Sequence, residues 1–425
     1  MLTIYRSIIN LIYPLIIILI RLRVIFKKED TKRYKEKLFV SSFNVINELS
    51  RKLIWVHVAS IGEYKSILPI INSYDFKKFK FLITSVTLSS ANIIKEDFPD
   101  EKNVIHRFFP VDKLKIVEKF LDAWKPNLTI FVDSEIWPNF LFELKKRKIP
   151  LIILNGRITK KTFTRWMMVS SFAKKIFNTF DLCLASSNES KKFLEKLNAK
   201  NIKYIGNIKL AATLNFKNNN NINKELFLSK KIWCAVSTHK GEEIFCLKVH
   251  KILKEKFNNI ITIIIPRHIN RSNEINILCK KNNLKSQVVS GKQVIEDHNE
   301  IVIVNEFNVL SKYLKYAKSV FVGKSIIENL KKVGGQNPIE AAQLGCKVYH
   351  GPYVYNFDEI YNFLNEHGIS EKISNENQLA KKLSNDFDHT NEIKIQTNNK
   401  IVEVGNRILK ESIEQINKLD NDQNY

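Results

Sequence analysis

Paired cysteines are missing from this sequence. Its five cysteines (Cys183, Cys234, Cys246, Cys279 and Cys346) lie far apart, are odd in number and form no C-x-x-C. A disulfide framework and a cysteine-based zinc site are therefore not expected, and the pattern suits a reducing compartment. The nine histidines show no H-E-x-x-H spacing, so a structural metal is not expected either. Neither a P-loop nor a complete G-x-G-x-x-G occurs, which disfavours a Walker ATPase and a Rossmann dehydrogenase. Acids are also scarce: 43 Asp and Glu face 68 Lys and Arg, for a net charge of +25. Such an excess attracts nucleic acid, anionic lipid headgroups or phosphorylated small molecules. The Lys-, Ile- and Asn-rich bias is equally consistent with coding composition.

What is present is an ordinary globular chain, 44% hydrophobic and 26% charged over 425 residues, long enough for two domains. It opens on an apolar run, "SIINLIYPLIIILI" (residues 7–20), between Arg6 and Arg21 and followed by "RLRVIFKKEDTKRYKEK". The run is shorter than the roughly 20 apolar residues of a full span, and it carries Pro14. Extension to Phe26 requires Arg21 and Arg23 to snorkel. No small-residue cleavage site follows, which disfavours a signal peptide. Residues 1–26 are read as a membrane anchor, spanning or interfacial, with the basic flank placing the body on the cytoplasmic side.

From Leu53 onward, short apolar runs alternate with amphipathic stretches: "LIWVHVAS", "FKFLITSV", "LTIFVDSE", "PLIILNGR" and "DLCLASS". Runs without polar alternation fit a parallel sheet covered on both faces. The stretch "NFKNNNNINKE" (residues 215–225) is polar and aperiodic and reads as a linker or exposed loop. The alternation then restarts with "KIWCAVST", "NIITIIIP", "SQVVS", "EIVIVN", "SVFVGKS" and "CKVYHGP". The two halves open alike, with "IWVHVASIGE" and "IWCAVSTHKGE". The expected class is α/β, two doubly wound domains with ligands beyond the carboxyl ends of the strands. The expected layout is 27–214 for the first domain, 215–228 for a linker and 229–425 for the second, whose last helix can cross back.

Several strand ends carry candidate chemistry. In "VGGQNPIEAAQLGCKVYHGP" (residues 333–352), Asn337 reads as an N-cap, Pro338 as the first helical position and Glu340 as a capping-box acid. Gly334 and Gly335 permit close backbone approach to a ligand, and the helix start offers amides to an anion. Glu340 is alternatively an acceptor for ribose hydroxyls. Arg267 and His268 follow the strand in "IIIPRH", where a guanidinium can hold a phosphate. Ser237 and Thr238 in "AVSTHKGEE" are expected at a helix start, as caps or as ligand contacts. In the first half, Glu63 in "ASIGEYKS" follows a strand-to-helix turn, and Asp133 and Glu135 in "VDSEIWPN" follow another strand. Carboxylates at neighbouring strand ends suit general-base work on a hydroxyl; Asp-x-Glu also suits a divalent metal, though a single such pair is common. Lys209 in "YIGNIKLA" is either a solvated lysine or a group for a leaving phosphate.

In order along the chain, "ASIGEYKS", "TSVTLSS", "FFPVDKLKIVEKFLDAWKPNLTIFVDSEIWPNFLFELKKRKIPLIILNGRIT", "GNIK", "STHKGEE", "PRH" and "VGGQNPIEAAQLG…GPYVYNF" resemble the Kdo (3-deoxy-D-manno-octulosonic acid) transferases, glycosyltransferase family 30. The resemblance covers roughly Trp55 to Asn356, and an N-terminal anchor accords with it. It implies a GT-B fold with the active site between two Rossmann-like domains. It also implies inverting transfer of Kdo from CMP-Kdo to the bisphosphorylated, acylated lipid A precursor, at the inner membrane on its cytoplasmic side. Neither metal nor other cofactor is implied, and nucleic acid is not an expected partner. By the same resemblance Glu63 is the general base, Glu135 a second essential acid and Lys209 the lysine near the leaving group. Ser237, Thr238, Pro266, Arg267, His268, Gly334, Gly335 and the Asn337-Pro338-Ile339-Glu340 segment would bind the donor. Departures are Asp133-Ser134-Glu135 for Glu-Thr-Glu, Lys324 for a glycine in "VGKS", and Asn308-Val309 for Gly-Glu. Two rival readings stand beside this one: a GT-B enzyme using another nucleotide sugar, and a non-catalytic membrane-tethered anion-binding protein. The second gives no role to an acid at position 63.

Overall fold

Among the described residues, two parallel sheets of seven strands each organise the chain. The computed structural model describes residues 1–39, 50–211, 222–291, 293–306, 309–331, 333–388 and 392–421. In the first sheet the strands are β1 (Lys52–Val58), β2 (Phe79–Ser85), β3 (Val104–Phe108), β4 (Leu128–Val132), β5 (Leu151–Gly156), β6 (Leu182–Ala185) and β7 (Ile202–Tyr204). Their order is β3-β2-β1-β4-β5-β6-β7. In the second they are β8 (Lys231–Thr238), β9 (Ile260–Pro266), β10 (Ser286–Val289), β11 (Ile301–Val304), β12 (Ser319–Val322), β13 (Lys347–His350) and β14 (Ser370–Lys372), in the order β10-β11-β9-β8-β12-β13-β14. Both are doubly wound α/β sheets of the Rossmann type. Order reverses between β1 and β4 in one and between β8 and β12 in the other, and those are the positions where such sheets bind ligands.

The apolar runs became strands because branched residues buried on both faces suit a parallel ladder. The residues of β4, β9 and β11 are all buried. The strands without such runs, β3 ("VIHRF"), β7 ("IKY") and β14 ("SEK"), lie at sheet edges, where polar residues are tolerated and discourage pairing with other chains. The "Ile-Trp" echo marks the equivalent central strand of each sheet. Trp55 on β1 packs against Phe120, Phe131 and Phe140 at 5.0–5.3 Å between ring centroids and donates Nε1–H to Thr84 Oγ1 at 2.9 Å. Trp233 on β8 is equally buried in the second core.

By contacts, the chain divides into Met1–Thr213 with Gly405–Tyr425, and Leu214–Val404. The C-terminal helix, Glu392–Asn421, begins in the second unit, and from Gly405 its residues belong to the first. There, a Cβ on Gly405 would lie 2.6 Å from Leu210 O, so the helix lies directly on the 208–211 turn. The expected linker is only partly a loop. Residues 215–221 lie outside the described residues, and Lys224–Ser229 is a short helix with Phe227 buried. At the N-terminus, Leu2–Ile25 is one 24-residue helix with a mean hydropathy of 2.2 in its most apolar window. It is long and apolar enough to cross a membrane by length and composition.

Candidate functional site

The first unit gathers its acids at the carboxyl ends of β1, β4 and β5. Ser60 caps the Ile61–Asn72 helix, its Oγ accepting from the Glu63 N–H at 3.3 Å. Glu63 folds back, accepting from the Ala59 N–H at 2.7 Å and from the Ser60 hydroxyl at 2.9 Å. This is a capping box in which the carboxylate reaches the Ala59 N–H instead of that of the N-cap Ser60, a role the sequence reading did not assign to Ser60-x-x-Glu63. Capping alone does not explain the electrostatics. Burial pushes the Glu63 carboxyl up to about 7, and the neighbouring Asp133 charge adds to the push. The Ala59 amide, the Ser60 hydroxyl and Lys209 pull in the opposite direction. A carboxyl poised there is suited to accepting a proton near neutrality.

Asp133 is held by Lys209, whose Nζ lies 2.5 Å from Oδ2, and by the Asn155 side-chain amide at Oδ1. Asn155 Oδ1 in turn accepts from the Ile208 N–H at 3.1 Å, tying β5 to the turn that carries Lys209. Glu63, Asp133 and Lys209 thus form one charge cluster. Lys209 is neither a solvated surface lysine nor an isolated cation, because it is ion-paired with Asp133. Asn155 went unremarked in the sequence; its signal was an amide closing a buried apolar strand.

Glu135 belongs to a different arrangement. It accepts from the Trp137 indole N–H at 2.8 Å and meets His57 Nε2 at 3.2 Å. Burial raises the Glu135 carboxyl, but the His57 and Trp137 interactions outweigh it and hold the group below the usual carboxylate range. His57, fully buried on β1, stacks on Phe109 at 3.8 Å. Its Nδ1 lies 3.0 Å from Thr84 Oγ1, which already accepts from Trp55. The Thr84 hydroxyl can donate its proton to Nδ1, leaving Nε2–H to serve Glu135. Sequence reasoning missed His57; an imidazole inside a buried parallel strand was the available signal. Asp133 and Glu135 therefore have separate partners, and among the described residues no cluster of three or more His, Cys, Asp or Glu could hold a metal ion. Replacing Trp137 with Phe should move the Glu135 carboxyl upward by deleting one of its donors, which a carbon-detected NMR titration of glutamate-labelled protein reads directly. An unmoved carboxyl would show that the indole does not set its ionisation.

In the second unit, the candidate donor residues cluster beyond β8, β9 and β12. Ser237 and Thr238 are not at a helix start. They close β8, with Ser237 at φ +54° beside a bulge in the β8–β9 pairing, and Thr238 fully buried. The next helix, Glu242–Lys256, starts only after Gly241, because the chain needs residues 239–241 to turn off the strand. Pro266 ends β9, and Arg267 and His268 follow it exposed. The Arg267 N–H donates to Thr238 O at 3.1 Å. The His268 ring lies 5.7 Å from that of His239. Burial holds the His239 imidazole below its ordinary value, and the Lys324 and His268 charges add to the effect. Arg267 and Lys324 supply the positive charge at this edge, where an anion would be held, while His239 offers a neutral imidazole.

Glu242 occupies the position that the echo pairs with Glu63; burial pushes its carboxyl up as it does that of Glu63, but its partners differ. Fully buried, it accepts from the backbone N–H groups of His239, Lys324, Ser325 and Ile326 at 2.6–3.2 Å. Its lone pairs are committed to the 324–326 loop, so Glu242 is a structural acid. Glu63 instead faces a second carboxylate.

The 334–343 segment also departs from expectation. The helix is Ile339–Gln343 with Pro338 as its N-cap, and Asn337 Oδ1 accepts from the Ile339 N–H at 3.1 Å as a turn before it. Glu340 is therefore in the first turn without Asn337 as a helix cap. Five residues also carry little aligned dipole. Gly334 and Gly335 admit the chain's own backbone. A Cβ on Gly334 would lie 2.1 Å from Tyr353 O, and one on Gly335 (φ +93°) 2.9 Å from Val354 O. The Gly335 N–H donates to Lys324 O at 2.6 Å. Lys324 itself has φ +58°, the left-handed region in which the glycine of the resembling motif is at ease. Lys324→Gly should raise stability by about 0.5–1 kcal/mol in urea titrations; a loss would mean that the lysine side chain contributes more than its backbone costs. Val309 is buried, and Asn308 lies outside the described residues.

Comparison with known proteins places the chain in a family. The family described as "3-Deoxy-D-manno-octulosonic-acid transferase (kdotransferase)" matches residues 32–212. The 3-deoxy-D-manno-octulosonic acid transferase of Rickettsia typhi (strain ATCC VR-144 / Wilmington) is 30% identical over 373 residues, covering 85% of this chain and 78% of the relative. That of Rickettsia bellii (strain RML369-C) is 29% identical over 426 residues, covering 98% and 99%. Among solved structures, UDP-GlcNAc 2-epimerase from Neisseria meningitidis bound to UDP-GlcNAc matches with a TM-score of 0.60 at 12% identity, over 86% of this chain and 100% of that one. This last likeness is one of fold, the GT-B arrangement of two doubly wound units in one chain. With 30% identity over most of the length of both chains, the chain belongs to the 3-deoxy-D-manno-octulosonic acid (Kdo) transferase family of glycosyltransferases.

Proposed function

We propose that this enzyme transfers Kdo from CMP-Kdo to a hydroxyl of the phosphorylated lipid A precursor, with inversion and without a metal ion. The observation that carries the reading is Glu63: a buried carboxyl beside Asp133, raised to about 7. A phosphate-activated sugar needs no enzyme nucleophile for inversion. It needs a base on the acceptor hydroxyl and positive charge at the departing phosphate. Glu63 takes the proton, and the Asp133–Lys209 pair sets its basicity. Glu135, fixed by His57 and Trp137, orients the acceptor. In the second unit, Arg267 and His268 beyond β9 bind the CMP phosphate, helped by the amides of Gln336 and Asn337. Ser237 and Glu340 contact the rest of the nucleotide, and the buried Thr238, Pro266, Pro338 and Ile339 support those contacts from behind.

Lys209 can still serve the leaving phosphate, but only by sharing its charge with Asp133. The apolar helix and the basic surface hold the enzyme at the inner membrane, on the cytoplasmic side, where a phosphorylated lipid acceptor resides. Purified protein supplied with CMP-Kdo and the lipid A precursor tests the reading through CMP release and product mass. The expected result is acceptor-dependent release that a chelator leaves unchanged. Release without acceptor, or transfer only from another nucleotide sugar, overturns it.

A further inference from the structure

The N-terminal helix has two opposite faces, each marked by residues that recur every seven positions. Arg6, Tyr13 and Ile20, each two turns apart, lie on the first unit. Arg6 Nε donates to Asn139 Oδ1 at 2.9 Å and its guanidinium pairs with Glu143 at 3.5 Å. The Tyr13 hydroxyl donates to Leu38 O at 2.6 Å, and Lys113 Nζ sits 3.9 Å over its ring. Ile20 is 7% exposed. One residue before Arg6, the Tyr5 hydroxyl donates to Asp112 at 2.7 Å. Asp112 is itself buried, and it also accepts from the N–H groups of Asn139 and Phe140 at the start of the Pro138–Lys146 helix. The opposite stripe is Ile4, Leu11, Ile18 and Ile25, exposed at 57%, 81%, 55% and 73%. Arg21 near the end of this helix and Lys27 and Lys28 just beyond it are exposed, and Arg23, also exposed, pairs with Glu29 at 2.8 Å.

We infer that this helix lies in the plane of the membrane surface, seated on the first unit along one face and immersed in a single leaflet along the other. A 24-residue helix is about 36 Å long. Were it to span, Tyr5 and Arg6 would be carried about 30 Å from Phe26 to the far side of the bilayer, and their partners Asp112, Asn139 and Glu143 belong to the folded unit. The contacts at Tyr5 and Arg6 and a transmembrane course exclude each other. A helix docked along one face, apolar along the other and basic at its end has the form of an interfacial segment, sunk about 5–10 Å into the headgroup boundary. The occupant of the apolar stripe is the acyl region of an anionic bilayer, since the terminal Arg and Lys charges match acidic headgroups. The inference does not depend on which sugar the enzyme transfers.

The test uses the full-length protein in vesicles of phosphatidylethanolamine and phosphatidylglycerol. Spin labels at Ile4→Cys, Leu11→Cys and Ile18→Cys report depth from their accessibility to oxygen and to a polar relaxant. The native cysteines are all buried, so they compete little for label. The expected result is the same shallow depth at all three positions. A spanning helix places Ile4 and Ile18 about 21 Å apart along the membrane normal, and such a spread overturns the inference. Labels shielded from oxygen and broadened by a second copy would show a protein–protein face and overturn it equally. Independently, Thr3→Cys should react with a membrane-impermeant maleimide only from the side occupied by the folded units. Reaction from the opposite side overturns it even if a depth variant is misfolded.

Discussion

Glu63→Gln should reduce Kdo transfer by about 10²–10⁴-fold, the usual contribution of a positioned general base, while CMP-Kdo binding is retained. Glutamine is a clean probe here because it preserves the capping box. Its amide oxygen can still accept from the Ala59 N–H, now at 2.7 Å from the carboxylate, so the Ile61–Asn72 helix keeps its start. What it loses is the ability to accept a proton. In the parent enzyme, activity should rise with pH through about 7 as Glu63 ionises. Stability should move in the opposite direction. The folded-state value lies above the ordinary 4.5, so the folded protein holds the proton more tightly than the unfolded chain does. Its stability therefore falls as pH climbs from the unfolded value toward the folded one, and the loss stays constant above it. Glu63→Gln escapes that loss. Its melting temperature should exceed the parent's at about pH 8, and the difference should vanish near about pH 4. A variant that turned over normally would remove Glu63 from the chemistry and leave it a cap. Equal melting at both pH values would show that the buried carboxyl is not strained.

Gly334→Ala should be among the most damaging single methyls in the second unit, alongside Gly351→Ala. A Cβ there would lie 2.1 Å from Tyr353 O and 2.9 Å from both Leu330 O and Lys324 O. All three neighbours are backbone carbonyls, which cannot rotate away as a side chain would. Overpacking commonly costs about 1–3 kcal/mol, and an immovable backbone on three sides puts this case at the upper end or beyond. The expected observation is loss of soluble protein, or a melting temperature lowered by many degrees in calorimetry, with donor affinity falling because Lys324 and the Gly335–Asn337 turn shift together. A fully stable Gly334→Ala protein that merely bound CMP-Kdo less well would return the glycine to the role of admitting ligand.

The strand ends were readable in the sequence because buried parallel strands announce themselves as uninterrupted branched and aromatic runs. β8, β9, β11 and β12 fall on "KIWCAVST", "NIITIIIP", "EIVIVN" and "SVFVGKS". Once those runs are fixed, the residue that follows each one is fixed too, and Glu63, Asp133, Glu135 and Arg267 all stand there. The edge strand β3 was not legible, since "VIHRF" carries the polar side chains an edge permits. Local chemistry misled where tertiary demands competed with it. Ser237 and Thr238 have the composition of a helix cap but finish a strand. Asn337 has it too, yet serves the turn before a five-residue helix.

By itself, then, the sequence determined the class of fold, the two-unit organisation and the acid and basic residues offered at the strand ends. Each depends on composition and periodicity within a few neighbouring residues, and those are written in the chain. Only the tertiary structure decided what the acids are worth. Glu63 and Glu242 occupy matching places in matching motifs. One is buried against Asp133 and poised near neutrality; the other is consumed by four backbone amides. A carboxyl's basicity depends on which charges and donors lie within a few ångströms of it, and those come from β4, the 208–211 turn and the 324–326 loop. They are distant in sequence, and only folding brings them together.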